Sequence, residues 1–371
     1  MKKLFPLLVV GACAFCFNPV FSQRINYKKV DAILSNLASN NKFSGVVLIA
    51  EEGKLKYNKA LGYIDYANQK PLNKNSIFEL ASVSKQFTAM TIMMVKEKGL
   101  LNYDDLVEKY INIPYKGITI RQLLTHTSGL PDYQAVMDAY WDKSKVAGNE
   151  DIIHYLNKYA PPKLFEPGEK YLYSNTGYVL LASILEKVSG RDFIEFCNTE
   201  IFNKLKMNQT AIRSLAEKAT IKDFALGHVY VPERNAYIRA DSFPSSNYTI
   251  WLGNRKGPGR VSSTADDLLK WDQALYTNQL VSQTSLAAAF APMHLNNGAI
   301  SNYGFGWELR LGENIVWHNG DNPGYKTIII RFLKSNKTLI ILSNNATDVF
   351  ENLTAELKNC IQPVKIINKL D

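Results

Sequence analysis

Apolar residues in this chain fall into two kinds of run. Strand-like runs gather at the two ends. Residues 43–51, FSGVVLIAE, then Glu52-Gly53 and KLKYNKALGYI, read as a hairpin. Near the C-terminus, ENIVWH, YKTIIIRFL and TLIILSN are three more, the last two separated by the turn Lys334-Ser335-Asn336-Lys337. Amphipathic segments at about 27–40 and 347–361 flank them. The long middle has helical periodicity instead, near 84–98, 119–125, 176–188 and 264–276. TGYVLLASILEKV (176–188), with Gly190 beyond as a stop, is the clearest case. This distribution predicts an α/β (α+β) protein: a sheet domain made from residues 23–80 and 300–371, and a mostly helical domain, 81–299, inserted between its strands.

Three short motifs stand out against that pattern: Ser82-Val83-Ser84-Lys85, Tyr173-Ser174-Asn175 and His318-Asn319-Gly320. A helix starting near Ser82 puts Ser82 and Lys85 on one face, a turn apart, with the hydroxyl at the positive end of the helix dipole. That suits a serine nucleophile whose proton must be taken and whose oxyanion must be stabilised. A lone serine at a helix start more often caps the helix; the two downstream motifs favour the nucleophile.

In that order and spacing the motifs resemble the serine β-lactamase and penicillin-recognising D-alanyl-D-alanine carboxypeptidase superfamily. The likeness is to its class C-type branch, which includes carboxypeptidase B-type enzymes, β-lactamase-fold esterases and D-aminopeptidases. It runs from about Phe43 to Ala346 and includes Leu123-Leu124-Thr125-His126-Thr127-Ser128-Gly129-Leu130, Pro167-Gly168, Ser263-Thr264-Ala265-Asp266-Asp267-Leu268 and Tyr303-Gly304-Phe305-Gly306-Trp307. The resemblance implies a β-lactamase-like fold with the active site between sheet and helices. It implies Ser82, Lys85 and Tyr173 as catalytic residues, and Asn175, His318, Asn319, Gly320 and Asp321 as substrate-binding ones.

Lysine and tyrosine ordinarily titrate near 10, so Lys85 and Tyr173 must act as a coupled unit in surroundings that shift them. Lys85 is assigned to activating Ser82 and Tyr173 to shuttling the proton towards the leaving group; the residue types alone leave the base open between them. Asn175 is expected to bond Lys85 and a substrate amide. The backbone N–H groups of Ser82 and Asp321 are the expected oxyanion hole. Gly320 is expected to let a substrate backbone approach. Family members usually carry His-Thr-Gly-Gly here, and this chain has Asn319 for the threonine and Asp321 for the second glycine. The lost hydroxyl and the added carboxylate argue against substrates ending in a free carboxylate, favouring a broader esterase or peptidase. His126 reads as structural, Arg260 as either an anion contact or a surface arginine, and Trp251 and Tyr325 as cleft wall or core.

MKKLFPLLVVGACAFCFNPVFSQ reads as a secretory signal peptide over residues 1–22, cleaved before Gln23. Pro6 and Asn18-Pro19 interrupt it as a membrane span, and lipidation at Cys13 is disfavoured by the apolar residues that follow. Its removal takes Lys2 and Lys3 and lowers the net charge from +9 to +7. No basic run with interleaved aromatics suggests nucleic acid. Cys197 and Cys360 either pair in an exported chain or stay as free thiols. No CxxC or HExxH cluster offers a metal site, and the chemistry asks for no cofactor. The expected protein is thus an exported serine hydrolase, without a stable membrane span. It acts on a small-molecule or peptide substrate of cell-wall type, or a small ester, through an acyl-enzyme. The rivals are a β-lactamase proper and a non-catalytic penicillin- or peptidoglycan-binding protein.

Overall fold

The computed structural model describes residues 24–362, so the signal-peptide reading and Cys13 lie outside the described residues. One antiparallel sheet organises them. Its strands are β1 (Gly45–Glu51), β2 (Lys54–Leu61), β3 (Glu308–Arg310), β4 (Ile315–Asn322), β5 (Tyr325–Phe332) and β6 (Lys337–Ser343), in the spatial order β3-β4-β5-β6-β1-β2. The two ends of the chain meet where β1 pairs with β6, Val46 opposite Leu342 and Ile49 opposite Leu339.

The central strands are apolar on both faces because both faces are covered. Val47, Ile49, Ile328, Ile330 and Ile341 pack under helices α1 (Tyr27–Ser39) and α7 (Phe350–Ile361), through Val30, Leu34, Leu353 and Leu357. Their neighbours Val46, Leu48, Ile329 and Ile340 point the other way, into the main core. That core is built on α2 (Lys85–Glu97), α3 (Ile120–Leu124), α5 (Asn175–Ser189) and α6 (Ala265–Ala274), while α4 (Tyr133–Tyr140) packs Tyr133 and Met137 into a separate small cluster with Trp251. The sequence-predicted strands and helices appear within a few residues of their expected bounds; α4 had not been expected. The stretch between about 200 and 260 is broken instead into short turns around a small ribbon, His228–Val231 with Ala236–Arg239.

Sheet and helices are tied by a buried ion pair. Arg331 of β5 donates from Nε to Asp272 of α6 at 2.5 Å, and Thr338 of β6 donates to the same carboxylate at 2.6 Å. Cys197 and Cys360 are free thiols, the first buried in the helical core and the second half-buried on α7. Among the described residues no helix is long and apolar enough to cross a membrane.

Candidate active site

Ser82 sits in a tight 3₁₀ turn, Ala81–Ser84, that runs straight into α2. The turn is capped by no side chain, so the Ser82 hydroxyl is not consumed as a helix cap. Ala81, just before it, has φ +48°, a left-handed conformation that costs a residue bearing Cβ. The bend is held from both sides: Leu80 N–H donates to Val261 O at 2.9 Å, and Thr327 Oγ1 donates to Leu80 O at 2.8 Å. Ser82 itself remains partly exposed at its tip.

Lys85 lies one turn deeper and is fully buried. Its Nζ is 3.1 Å from Ser82 Oγ, 2.9 Å from Asn175 Oδ1 and 2.9 Å from Pro258 O. Burial drives its pKa well below the usual lysine range. The Arg255 cation pushes the same way, and the Asp132 carboxylate opposes them. The Lys85 amine also stands 4.6 Å from the centre of the Tyr173 ring. Burial raises the phenol of Tyr173, with the Ser82 hydroxyl opposing, and its Oη makes no hydrogen bond among the described residues. A hydroxyl beside a buried amine that resists protonation can give that amine its proton.

The other walls are fixed by long-range bonds. Asn175, first residue of α5, donates from its backbone N–H and from Nδ2 to Asp132 Oδ2 at 2.8 and 3.0 Å. Because a carboxylate only accepts, this fixes the amide with Oδ1 towards Lys85. His126 packs its ring 4.2 Å from that of Tyr173, and its Nδ1 accepts from Ser174 N–H at 3.2 Å. Leu172 N–H donates to His126 O at 2.9 Å, so the tyrosine segment is clamped on both sides of Tyr173. His126 thus plays the structural part expected of it, packed against Tyr173.

His318 on β4 is buried, and both of its nitrogens are engaged within the protein. Nδ1 donates to Asn319 O at 2.6 Å, so Nε2 must accept from Tyr303 Oη at 2.7 Å. Burial lowers its pKa to about 3. It is a neutral prop beside Tyr173, their ring centres 6.3 Å apart.

Two expectations about the third motif need correction. Side chains alternate along a strand, so His318 and Gly320 face the helical core while Asn319 and Asp321 face α7. Asn319 lies in a shallow groove with Trp317, Ile330 and Phe350 of that outer face. Asp321 pairs with Lys326 at 2.7 Å, which also reaches Glu351 of α7 at 3.2 Å. Neither side chain lies on the face that carries His318 and Gly320, which sets the missing threonine hydroxyl and the added carboxylate back from the groups around Ser82. Gly320 is required by the protein itself. A Cβ there would meet Leu80 O at 2.1 Å, so the glycine admits the bend before Ser82 and not a substrate backbone.

The backbone of Asp321 keeps its expected orientation. Leu309 N–H donates to Asn302 O, outside the ladder, so the Leu309–Val316 pair is not hydrogen-bonded. The alternation then sends the N–H groups of Ile315, Trp317, Asn319 and Asp321 to the β3 side of β4. Since β3 ends opposite Trp317, Asp321 N–H faces an open edge, against which the Ser82 turn packs.

Asp132 and Arg255 were missed in the sequence reading, which considered only Arg260 of this loop, as an anion contact or a surface arginine. Arg260 is buried, with Nη2 donating to Arg213 O at 2.9 Å, whereas Arg255 points its guanidinium towards Tyr133 and Lys85. The one local signal for Asp132 was its place after Leu130-Pro131, where it caps α4 through Gln134 N–H at 3.0 Å. Trp251 is core, and Tyr325 lines a cavity beside the site.

A sequence profile of the Beta-lactamase family matches residues 30–359. The chain is similar to penicillin-binding protein 4* of Bacillus subtilis (strain 168), 43% identical over 327 residues, which cover 86% of this chain and 72% of that protein. Among solved structures, the octameric penicillin-binding protein homologue from Pyrococcus abyssi has a TM-score of 0.74 at 27% identity, covering 86% of this chain and 74% of that one. The D-amino acid amidase of Ochrobactrum anthropi SV3 shares the fold, with a TM-score of 0.74 at 22% identity over 90% of this chain and 97% of its own.

Proposed function

This chain belongs to the Beta-lactamase family, and from that premise we propose that it is a serine hydrolase working through an acyl-enzyme on Ser82. One observation carries the reading: a fully buried lysine amine, its pKa driven down by burial, 3.1 Å from a partly exposed serine hydroxyl. Lys85 takes the hydroxyl proton as Ser82 Oγ attacks the substrate carbonyl. The N–H groups of Ser82 and Asp321 receive the negative charge on the carbonyl oxygen. Tyr173, protonated, passes a proton to the departing amine or alcohol, and water then releases the acyl group. Asn175, held by Asp132, has one Nδ2 proton left for a substrate carbonyl.

The substrate class we propose is an amide or ester with a D-amino-acid or small acyl group. The fold shared with a D-amino acid amidase and the 43% identity to a penicillin-binding protein support it. With Asn319 and Asp321 turned away, carboxylate-bearing substrates of cell-wall type stand beside neutral esters. The signal-like N-terminus supports action outside the cytoplasm, which fractionation of the producing cell tests directly.

Mass spectrometry after treatment with a fluorescent penicillin or a fluorophosphonate should place one adduct on Ser82. Ser82→Ala should abolish it and lower turnover by about 10³–10⁶-fold. An adduct elsewhere, or undiminished turnover in the variant, refutes the nucleophile. Parallel hydrolysis of nitrocefin, p-nitrophenyl acetate and a D-Ala-D-Ala peptide separates β-lactamase, esterase and peptidase. Labelling without any turnover would indicate a penicillin-trapping protein.

A further inference from the structure

The loop from Gly253 to Arg260 carries three cations beside the site, and they differ in how their charge is met. Lys256 Nζ lies 2.6 Å from the carboxylates of both Glu186 and Asp192. Arg260 is buried and donates to main-chain carbonyls. Arg255 donates only to the phenol of Tyr133, and its Nε is buried with no hydrogen-bond partner among the described residues. Its field reaches Lys85, and that of Asp132 reaches it, but it forms no ion pair among the described residues. Arg255 is only half-buried, but its buried Nε lacks a partner and the side chain has no ion pair among the described residues, which leaves donors to spare, and its fork of donors matches a carboxylate.

The position of this cation defines which part of a substrate it can meet. Arg255 lines a cavity of about 540 Å³ together with Asn322, Pro323 and Tyr325. Along β4, His318 stands beside Tyr173, Gly320 packs on Leu80 and Ala81, and Asn322 reaches this cavity. At about 3.3 Å per residue those positions span roughly 13 Å. A Cβ built on Gly259 would lie 3.3 Å from Arg255 Nη2 and 3.7 Å from Ala81 O, so the guanidinium and the residue preceding Ser82 both adjoin Gly259. Tyr173 thus lies towards the His318 end of this stretch of β4 and Arg255 borders the cavity at its Asn322 end, with the turn before Ser82 packed on Gly320 between them. If the leaving group departs on the Tyr173 side, the acyl half extends towards Arg255; this step rests on the roles proposed above for Ser82 and Tyr173.

We infer that Arg255 determines acyl-group specificity, binding a carboxylate carried by the acyl half of the substrate within this cavity. The preferred substrates are amides or esters whose acyl portion bears a free acid, such as a side-chain or N-linked dicarboxylic acyl group. A carboxylate on the leaving group is read elsewhere or not at all.

Two matched pairs of anilides test it. In the first, N-succinyl-D-alanine p-nitroanilide is compared with its succinamide analogue, which differs only in the acyl-side charge. In the second, N-acetyl-D-alanyl-4-aminobenzoate is compared with the corresponding 4-aminobenzamide, which moves the charge to the leaving group. Wild type should favour the succinyl substrate by about tenfold or more in kcat/KM, the effect of a charge-assisted hydrogen bond. Arg255→Met should bring that ratio close to one, and Arg255→Lys should keep part of it. The leaving-group ratio should respond to neither change. A succinyl ratio at or below one in wild type, or one that survives Arg255→Met, overturns the inference. A leaving-group preference abolished by Arg255→Met overturns the placement on the acyl side. Equilibrium binding of the first pair to Ser82→Ala, with and without Arg255→Met, gives the same ratio without turnover. Should wild type cleave none of these anilides, selective binding that depends on Arg255 would uphold the anion site while counting against the hydrolase, and equal binding would overturn the site.

Discussion

Gly320→Ala probes how firmly the strand edge and the nucleophile turn are locked together. The added Cβ would lie 2.1 Å from Leu80 O, 2.4 Å from Thr327 Oγ1 and 3.1 Å from Ala81 Cβ. None of these can swing aside freely. Leu80 is bonded through its N–H to Val261 and through its carbonyl to Thr327, and Ala81 already occupies a strained φ. Restoring an ordinary contact of 3.4 Å to Leu80 O requires about 1.3 Å of separation between β4 and the turn. That displacement parts the N–H of Ser82 from the N–H of Asp321. Misplacing a reacting group by about 1 Å costs on the order of 10²-fold, and losing one oxyanion donor about 10²–10³-fold. Acylation should therefore fall about 10²–10³-fold, with about 1–3 kcal/mol of lost stability from overpacking. The assay is the rate of labelling by fluorescent penicillin, or the p-nitrophenyl ester burst, on protein shown to be folded by urea denaturation. Gly312→Ala is the matched control, since nothing lies within 4 Å of its Cβ and the same methyl should change neither quantity by more than about twofold. If folded Gly320→Ala acylates within about threefold of wild type, the lock is not what positions the oxyanion hole.

Three further changes follow from the same geometry. Asp321→Gly should leave the preference between free and amidated substrate carboxylates within about twofold, because its carboxylate is held on the α7 face by Lys326; a larger change in the kcat/KM ratio would place that charge in the cleft. Burial lowers the pKa of His318 to about 3 and that of His126 well below 6.5, so the unfolded chain takes up these protons first. Stability should be full above about pH 6.5 and fall by up to about 1.4 kcal/mol per pH unit for each histidine as acid is added, for His318 down to about pH 3. Urea denaturation from pH 7 to 4 should show a shallower slope in His318→Asn, and equal slopes would contradict a buried neutral histidine. Asp272→Ala leaves the Arg331 guanidinium buried without its partner and should cost about 3–5 kcal/mol of unfolding free energy; a loss below about 1 kcal/mol in urea denaturation would show that the pair does not clamp sheet to helices.

What the sequence disclosed, and what it did not, follows from how local each signal is. VVLIA, TIIIRFL and TLIILS announce strands because each carries its pattern within a few residues, and Ser82 with Lys85 share one turn. The third motif was misjudged although its signal was also local. Applied residue by residue through Val316-Trp317-His318-Asn319-Gly320-Asp321, a period of two separates Asn319 and Asp321 from His318 and Gly320. Treating the four as one binding motif overrode that alternation. Asp132 was illegible for a different reason. Its bond to Asn175 joins residues 43 positions apart, and a single sequence does not say which of 34 acidic side chains will make it. Arg255 and Arg260 sit in one glycine-rich loop, and only the folded backbone decides which one turns towards the site.

The sequence also left open whether Lys85 or Tyr173 is the base, and burial argues for the lysine. Two proton arrangements are available to the pair: a neutral amine with a neutral phenol, or an ammonium with a phenolate. The second places two charges in a site where Lys85 is fully enclosed. Burial lowers the lysine and raises the tyrosine, so both shifts favour the neutral arrangement. The ammonium would gain from the Tyr173 ring at 4.6 Å and from three acceptors around Nζ. A phenolate at Tyr173 would have no comparable support, since its Oη lacks a hydrogen-bond partner among the described residues and only the Ser82 hydroxyl opposes the rise in its pKa. An unsolvated phenolate is the costlier of the two ions, and it decides the balance. In the proposed mechanism the neutral arrangement has what each step needs: a lone pair on Lys85 facing Ser82 Oγ for attack, and a proton on Tyr173 for the leaving group. Once Lys85 has taken the serine proton, the ammonium beside the ring makes the phenol a better acid, at the moment the departing amine or alcohol requires its proton.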